Sequence, residues 1–581
     1  MNAEHTQWIT ETLEQLQRTR VIPRLWAHDH TLWSSEPTEI SNRLGWLHCT
    51  EWMPNRLHQL TALVKGLQKE GYRQAVLLGM GGSSLAPQVF RQVFGVQEGF
   101  LDLRVIDTTD PDTIIREEEQ LDYRKTIFII STKSGGTVET FSLFRYFYNR
   151  CRSELTENET GAHFLAITDP GSTLAELAEQ LRFRALFLND PNIGGRYSAL
   201  SLFGMLPAAL VGIDLHAFLE QATQAARLSQ EETLAPQCQN PAAMLGAAIG
   251  AMALHGKDKI TFLTSPSLDS FGDWAEQLLA ESSGKSGKGI LPVVREPVGR
   301  AEEYGSDRFF VYLRLDGEEV FDNLTIALQE RGHPVLILPL SGRYNLAEQF
   351  FYWEVATAIA CHLIEVHPFD QPNVEETKAL TRQVIASFRE KGRLTTTKPD
   401  YYGENIEIFG TGTIASLDEG LQRFLSTAAP PAYIAIQAFL PYTSEIDQAL
   451  QSLRVALRQQ TGCAVTLGYG PRYLHSTGQL HKGDAGDGYF LQFACDPQGN
   501  DLPIPDEVGW SHASLCFGDL KLAQALGDHQ ALLNQGRRVL RFHLKKDLSQ
   551  NILSLIPKNL GESNPIAVAP DRRDQVHRKI G

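Results

Sequence analysis

Short apolar runs, each followed by a stretch of helical periodicity, are the feature that most constrains how this 581-residue chain can fold. One series of runs lies at 75–78, 103–106, 127–130 and 164–167, and a second lies at 259–263, 309–315 and 335–338. Apolar strands that alternate with amphipathic helices are typical of parallel sheets covered by helices on both faces. We therefore predict an α/β chain with two doubly wound parallel sheets.

The same pattern divides the chain into six segments. A helical N-terminal segment (1–55) precedes a first α/β domain (56–230) and a second one (231–392), followed by a polar linker (393–428), a third α/β lobe (429–556) and a loose tail (557–581). Strands of the third lobe are expected at 433–439, 489–493 and 539–542.

The third lobe is interpreted as a partial duplication of the second domain. Aligning 281–289 with 475–483 matches four of nine residues, and both segments lead to the pattern Ala-Leu-x3-Gly-x2-Val-Leu, at 327–336 and at 531–540. In this alignment His475 stands where the second domain has Glu281. A chance match is the alternative.

Composition excludes several functional classes. A net charge of −16 disfavours binding to nucleic acid or to an anionic membrane surface, although a small anion could still bind in a locally positive cleft. No window approaches the roughly 18 apolar residues of a membrane span. The polar first residues predict no secretory leader, and the seven cysteines lack any Cys-x-x-Cys. We expect a cytoplasmic protein without structural zinc.

A glycine-rich turn, Gly79-Met80-Gly81-Gly82-Ser83-Ser84, follows the run at 75–78 and precedes a helix. Backbone amides at such a turn can hold an anion. The turn also partly matches a dinucleotide fingerprint, with Asp107 as the ribose-binding acid. A tight turn without any ligand is the remaining alternative.

A second polar turn helps to choose between these interpretations. Thr132, Lys133, Ser134 and Thr137 follow the run at 127–130, with Gly135 and Gly136 among them. Several hydroxyls, one ammonium and the free amides of a helix start together suit the oxygens and the double charge of a phosphomonoester. A dinucleotide would not need this second cradle, and a capping turn would need only one hydroxyl.

Three further side chains are candidates for chemistry on such a ligand. Arg196 follows Gly194 and Gly195, so that the backbone can approach a ligand and the guanidinium can face developing negative charge. Gln277 and Glu281 lie four residues apart, hence on one helix face, and a glutamate there is a candidate general base. A surface arginine and an ordinary helix-face glutamate are the alternatives.

Together these motifs resemble those of the glucose-6-phosphate isomerases. The resemblance runs from about residue 60 to Lys378 and includes Gly79 to Ser83, the Thr132 loop, Gly194-Gly195-Arg196-Tyr197-Ser198, Glu281 to Lys285 and Phe369 to Lys378. The block from residue 379 onward resembles the C-terminal part of the isomerase section in transaldolase and glucose-6-phosphate isomerase fusion proteins. The resemblance implies two sugar-isomerase domains and the glycolytic interconversion of glucose 6-phosphate and fructose 6-phosphate through a cis-enediol, without metal or cofactor.

It also implies roles for individual residues. Glu281 would be the proton-shuttling base, Arg196 would stabilise the enediolate and Lys378 would assist ring opening. The substrate phosphate would bind at Gly82, Ser83, Thr132, Lys133, Ser134 and Thr137. Other substrate contacts would come from Gly195, Gln277 and Gln371.

The ring-opening histidine of the family has no clear counterpart in the expected interval, which holds His333, His362 and His367. His475 is the preferred candidate, reaching the site from the third lobe or from a neighbouring subunit of a homodimer, and His333 or another group is the alternative. His475, His481, Asp484 and Asp487 fit no common metal-ligand spacing. An isomerase of another hexose phosphate, such as mannose 6-phosphate, and a non-catalytic sugar-phosphate sensor stay open as alternative functions.

Overall fold

A computed structural model describes residues 1–235, 237–391, 398–410, 412 and 414–556. The N-terminal segment is helical, with α1 (Ala3–Arg18), α2 (Val21–Trp26), α3 (Cys49–Trp52) and α4 (Leu57–Lys69). Ile9, Leu13 and Leu16 on one face of α1 are buried in the hydrophobic core that the first two sheets share. This segment therefore packs against the larger α/β body.

The first sheet has five parallel strands, which are β1 (Gln74–Gly79), β2 (Asp102–Ile106), β3 (Thr126–Ser131), β4 (Phe164–Thr168) and β5 (Ala185–Leu188). Its helices are α5 (Leu85–Phe94), α6 (Pro111–Glu118), α7 (Val138–Glu154), α8 (Glu157–Thr160), α9 (Thr173–Gln180), α10 (Leu202–Val211) and α11 (Leu215–Leu228). The strand order β2-β1-β3-β4-β5 reverses direction between β1 and β3. The carboxyl ends of these two strands border the crevice in which doubly wound sheets bind ligands.

The second sheet is also parallel and consists of β6 (Lys259–Thr264), β7 (Leu291–Val293), β8 (Arg308–Leu315) and β9 (Val335–Leu340), in the order β7-β6-β8-β9. Its helices are α12 (Pro241–Leu254), α13 (Phe271–Ser283), α14 (Asp322–Glu330), α15 (Leu346–Leu363) and α16 (Pro372–Lys391). α13 leaves the sheet after β6 and carries the candidate base Glu281.

The third lobe has its own sheet and core. Its strands are β10 (Tyr401–Tyr402), β11 (Ile406–Phe409), β12 (Tyr433–Phe439), β13 (Ala464–Tyr469), β14 (Gly488–Cys495) and β17 (Arg538–Leu544), with β15 (Pro503–Ile504) and β16 (Leu515–Cys516) in a separate hairpin. Its helices are α17 (Leu417–Leu425), α18 (Ser444–Thr461), α19 (Gly478–Gly483), α20 (Phe517–Asn534) and α21 (Leu548–Leu553). The α/β fold class predicted from the sequence is confirmed.

The parallel part of the third sheet repeats the topology of the second. Its order is β13-β12-β14-β17, and in both sheets the strands therefore lie in the chain order second, first, third, fourth. In each lobe, the segment 327–336 or 531–540 runs from the helix before the fourth strand into that strand. The proposed equivalence of Glu281 and His475 is wrong, because Glu281 lies between the first and second strands and His475 between the second and third.

The linker prediction for 393–428 is wrong for two parts of that segment. β11 pairs antiparallel with β17, and Ile406 and Ile408 are buried in the third core. α17 also falls within the expected linker. The sheet extends in this direction because β17 would otherwise present an unpaired edge. Residues 393–397 and the expected tail 557–581 lie outside the described residues.

The third lobe contacts both other sheets. Ile504, Leu515 and Phe517 pack into a core with β1, β3 and α7 of the first sheet. β7 shares a small apolar core with β12 and β14, and the buried Arg454 donates to the carbonyls of Val294 and Arg295. Helices of the described residues are all too short or too polar to cross a membrane.

Candidate active site

The glycine turn after β1 lies where elements of all three lobes meet. Gly81 has a φ of +54°, which glycine adopts at little cost. A Cβ atom on Gly82 would lie 1.9 Å from the carbonyl oxygen of Gly195, so the two glycine motifs are in backbone contact. A Cβ atom on Gly81 would lie 2.7 Å from Nε2 of Gln277 and 3.1 Å from the carbonyl oxygen of His475. These four motifs, far apart in sequence, therefore form one site.

Glu281 lies at this site on the last turns of α13 and is 9% exposed. Gln277, one turn earlier, donates from Nε2 to Oε2 of Glu281 over 2.9 Å. Oε1 of Glu281 lies 3.4 Å from Nη1 of Arg196. The carboxylate is thus held in one orientation by an amide on one side and a guanidinium on the other.

Arg196 is itself fixed by several acceptors and is 4% exposed. Its Nε donates to Oγ of Ser282 over 2.9 Å, and its Nη1 donates to Oε1 of Gln371 over 3.1 Å. Nη2 donates to the carbonyl oxygens of Pro368 and Asp370. A buried, preorganised guanidinium of this kind can stabilise charge that develops beside Glu281.

His475 reaches the site from the third lobe of the same chain. Its carbonyl oxygen accepts a 2.7 Å hydrogen bond from Nε2 of Gln277, and its ring Nε2 lies 2.9 Å from Oε1 of Glu139. Burial of the ring would lower the pKa of His475, but the carboxylate of Glu139 raises this pKa above its usual value. Gln524, also from the third lobe, donates to the same oxygen of Glu139 over 2.7 Å.

The predicted phosphate loop lies beside this pair, because Glu139 belongs to the first turn of α7 and Thr137 immediately precedes that helix. The hydroxyls of Thr132 and Thr137 are 3.1 Å apart, and Ser134 is exposed. The ammonium of Lys133 contacts Asp169 and donates to the carbonyl of Pro191 over 2.8 Å. Hydroxyls and the amides of a helix start can together bind a phosphate.

Lys378 and Ser83 complete the predicted set. Nζ of Lys378 donates to Glu375 over 2.7 Å, and the side chain is half-exposed on α16. Burial opposes the charge of Glu139, but His475 and, to a smaller extent, Lys378 lower the pKa of that carboxyl. α16 packs against α20, which also carries Gln524, the donor to Glu139. Ser83 is half-buried in the glycine turn, and its carbonyl accepts a hydrogen bond from Ser131.

The other histidines considered from the sequence pack against an aromatic ring or face backbone carbonyls. The ring of His333 packs 5.4 Å from that of Phe310, and burial lowers the pKa of His333 to about 4. Nδ1 of His362 lies 2.6 Å from the carbonyl oxygen of Leu32. His367 contacts the carbonyl of Thr38 in the N-terminal segment. Asp107, the candidate ribose ligand, accepts from Ser84 and lies 3.5 Å from Arg472.

Within the described residues, one group of potential metal ligands comes together, formed by Asp501, Cys516 and Asp519. This group caps α20, since Asp501 accepts from the amides of Leu502 and Gly518 and Asp519 from that of Cys516. The hydrogen bonds account for these carboxylates without an ion.

Sequence reasoning assigned no role to two residues of the site. Glu139 follows Thr137 of the phosphate loop by two residues, but its partner His475 comes from another lobe. Lys285 ends the Glu281 motif and contacts Asp370 of the Phe369 motif. The motifs themselves were the only available signal, because neither pairing follows from local spacing.

The chain resembles known proteins in both sequence and fold. A family model described as phosphoglucose isomerase matches residues 55–290. A glucose-6-phosphate isomerase of Thermus thermophilus is 30% identical over 400 residues, which are 60% of this chain and 91% of that protein. The enzyme of the same name from Mycoplasmopsis pulmonis is 29% identical over 385 residues, 58% of this chain and 88% of that protein.

Two solved structures share the fold. A hypothetical protein from Thermus thermophilus superposes with a TM-score of 0.57 at 24% identity, over 66% of this chain and 99% of that chain. A glucose-6-phosphate isomerase from Chlamydia trachomatis gives a TM-score of 0.53 at 18% identity, over 65% of this chain and 86% of that chain. With 30% identity across nearly the whole of one relative and the family model matched through Glu281, the chain belongs to the glucose-6-phosphate isomerase family.

Proposed function

We propose that this chain interconverts glucose 6-phosphate and fructose 6-phosphate through a cis-enediol, with Glu281 as the base. The observation that carries the proposal is the buried carboxylate of Glu281, held by Gln277 on one side and facing Arg196 on the other. A positioned carboxylate can remove a proton next to a carbonyl, and an adjacent guanidinium can stabilise the resulting oxyanion. This interconversion is the glycolytic step of the family.

The phosphate of the substrate binds at the loop of Thr132, Lys133, Ser134 and Thr137, with Gly82 and Ser83 contributing from the glycine turn. Exposed Ser134 and the two neighbouring threonine hydroxyls offer donors, and the α7 N-terminus favours negative charge. Binding at this distant end of the sugar fixes the reacting carbons against Glu281.

Ring opening precedes isomerisation and uses His475 with Lys378. His475 is held by Glu139, whose carboxylate favours the protonated imidazole. The protonated imidazole then provides a donor for the ring oxygen of the sugar. Lys378, on the helix that packs against α20, assists transfer of the proton from O1. Glu281 then moves the proton between C2 and C1, while Arg196 stabilises the enediolate and Gly195, Gln277 and Gln371 line the sugar.

Replacement of Glu281 by glutamine tests the central assignment. The variant keeps a side chain of the same shape that can still contact Gln277 and Arg196, but it cannot take a proton. We expect Glu281→Gln to lower kcat by the roughly 10² to 10⁴-fold typical of general-base catalysis and to retain sugar-phosphate binding. A coupled assay with fructose 6-phosphate measures kcat, and calorimetry measures binding.

Wild-type kcat in the Glu281→Gln variant would refute the assignment of the base. Running the wild-type protein with mannose 6-phosphate alongside fructose 6-phosphate defines the hexose preference.

We include a cytoplasmic location and a homodimer in this proposal. The contacts made by His475 lie within one chain, so the proposed chemistry does not require the second copy.

A further inference from the structure

The loop that follows α15 lies against two buried cations. Arg196 donates to the carbonyl oxygens of Pro368 and Asp370, at 2.6 and 3.0 Å. The ammonium of Lys285 donates to the same carbonyl of Asp370 over 2.7 Å and to its carboxylate over 2.9 Å. The side chains of Arg196 and Lys285 are both 4% exposed. The carbonyl oxygen of Asp370 thus accepts from both Lys285 and Arg196, the arginine that faces Glu281.

Lys285 is the cation that balances the Asp370 carboxylate. His367 also approaches it, with Nδ1 at 3.5 Å from Oδ1. However, Nδ1 of His367 accepts the amide proton of Phe369, and Nε2 faces the carbonyl of Thr38, which is the pattern of a neutral ring. Burial lowers the pKa of His367, in agreement with that pattern. The charge on Asp370 is therefore paired with Lys285 and lies beside Arg196.

We propose that Lys285 is a positioning residue for the isomerisation, which holds Asp370 so that Arg196 stays directed at Glu281 and the reacting carbons. The proposal rests on the proposed function of the site. Lys285 acts through Asp370 and Arg196 and has no assigned contact with the substrate.

Loss of Lys285 would leave a charged carboxylate without its partner next to a guanidinium. An unpaired, partly buried charge is costly, and the nearest remaining cation is then attracted to it. Arg196 would turn from Glu281 towards Asp370, and its stabilisation of the enediolate would weaken. Because that stabilisation is needed in the transition state more than for substrate binding, the effect belongs to kcat rather than to KM.

The pH dependence of turnover gives a second readout. The groups facing the Lys285 ammonium are Arg196 from the turn after β5, Asp370 and His367 from the loop after α15, and Cys361 from α15. Burial and the guanidinium of Arg196 lower the pKa of Lys285 to about 8, while burial raises the pKa of the Cys361 thiol to about 12. Lys285 is therefore the group in this set that loses its charge just above neutral pH.

The test compares Lys285→Met with Lys288→Met in the full chain. Lys288 lies three residues away on the same loop and contacts the carbonyl of Ile364 and the exposed Glu365. We expect Lys285→Met to lower kcat about 10-fold to 100-fold, less than the loss of a charge-stabilising donor itself, with KM changed less than about threefold. The Lys288→Met variant should retain wild-type kcat and KM.

Two further variants separate positioning from folding. Asp370→Asn added to Lys285→Met removes the unpaired carboxylate and should restore part of kcat. Lys285→Arg keeps its charge at all accessible pH values, so the decline of kcat that we expect near pH 8 in the wild-type protein should move upward or disappear. Melting temperatures are recorded for every variant.

The proposal is overturned if folded Lys285→Met keeps wild-type kcat, or if only its KM rises. If Lys285→Met does not fold, the comparison of Lys285→Arg with wild type decides, and an unchanged alkaline decline rejects the proposal. The wild-type chain is assayed first, with both hexose phosphates. Absence of isomerase activity there would reject the proposed function. An active wild type whose kcat is unchanged by the Lys285 substitutions would reject the positioning role alone.

Discussion

Glu139 and His475 are 336 positions apart in the chain and 2.9 Å apart in space. Such a pair depends on how two lobes pack, which local sequence spacing cannot specify. Glu281, Gln277 and Arg196 were nominated from local motifs, because a helix period or a glycine turn fixes the direction of a side chain. The strand topology contradicts the alignment that suggested His475. The carbonyl of His475 nevertheless contacts Gln277.

The charge on this pair leads to a prediction for Glu139→Gln. Burial of Glu139 acts against its charge, but His475 lowers the pKa of Glu139, and Glu139 raises the pKa of His475. The ion pair therefore stabilises the fold between those two pKa values and is lost as pH falls through the first or rises through the second. Without the Glu139 carboxylate, the pKa of His475 should fall.

NMR titration of the His475 ring measures this shift directly, and the pH dependence of kcat/KM should move to lower pH with it. Glu51→Gln is the control, because it alters a pair with the more exposed His48. An unchanged His475 titration in Glu139→Gln would contradict an ion pair in solution.

At the scale of elements, the sequence predicted the strands that are buried on both faces and two partly buried edge strands, β2 and β9. β1 and β3 are almost entirely buried, and their apolar runs were recognised. β5, β7 and β13 were not predicted, because β7 has three residues and β5 and β13 are only partly buried at the edges of their sheets. Edge strands need fewer apolar residues, and their pattern is correspondingly weak.

The contact between the two glycine motifs leads to a prediction for Gly82→Ala. The new methyl group would lie 1.9 Å from the carbonyl oxygen of Gly195, and backbone cannot move aside as a flexible side chain can. We expect a loss of about 1–3 kcal/mol in the free energy of unfolding, as for overpacked sites, together with a reduced kcat/KM.

Gly66→Ala is the matched control, because its methyl group would enter open space on α4. That change should be neutral or stabilise the fold by about 0.5–1 kcal/mol, since alanine favours the helix. Chemical denaturation and the isomerase assay measure both effects. Equal stability of the two variants would show that the turn can open without cost.

At the scale of the whole molecule, the third lobe is joined to both other sheets and to the site. The family model matches residues 55–290, so its match does not include this lobe. Apolar cores link the lobe to the first and second sheets, and buried Lys521 pairs with Asp110 over 2.8 Å. These contacts hold the lobe where His475 reaches Gln277 and Glu139.

Presentation of His475 within one chain leads to a prediction about mixed chains. Glu281→Gln and His475→Ala each inactivate one proposed step, and both residues belong to the same site of the same chain. Co-expression of the two variants should therefore recover no activity beyond their sum. If His475 instead served the site of a partner, random pairing into dimers would restore about a quarter of wild-type activity. Specific activity of the wild type measured across a dilution series is the control, and it should stay constant even where light scattering records dissociation to single chains.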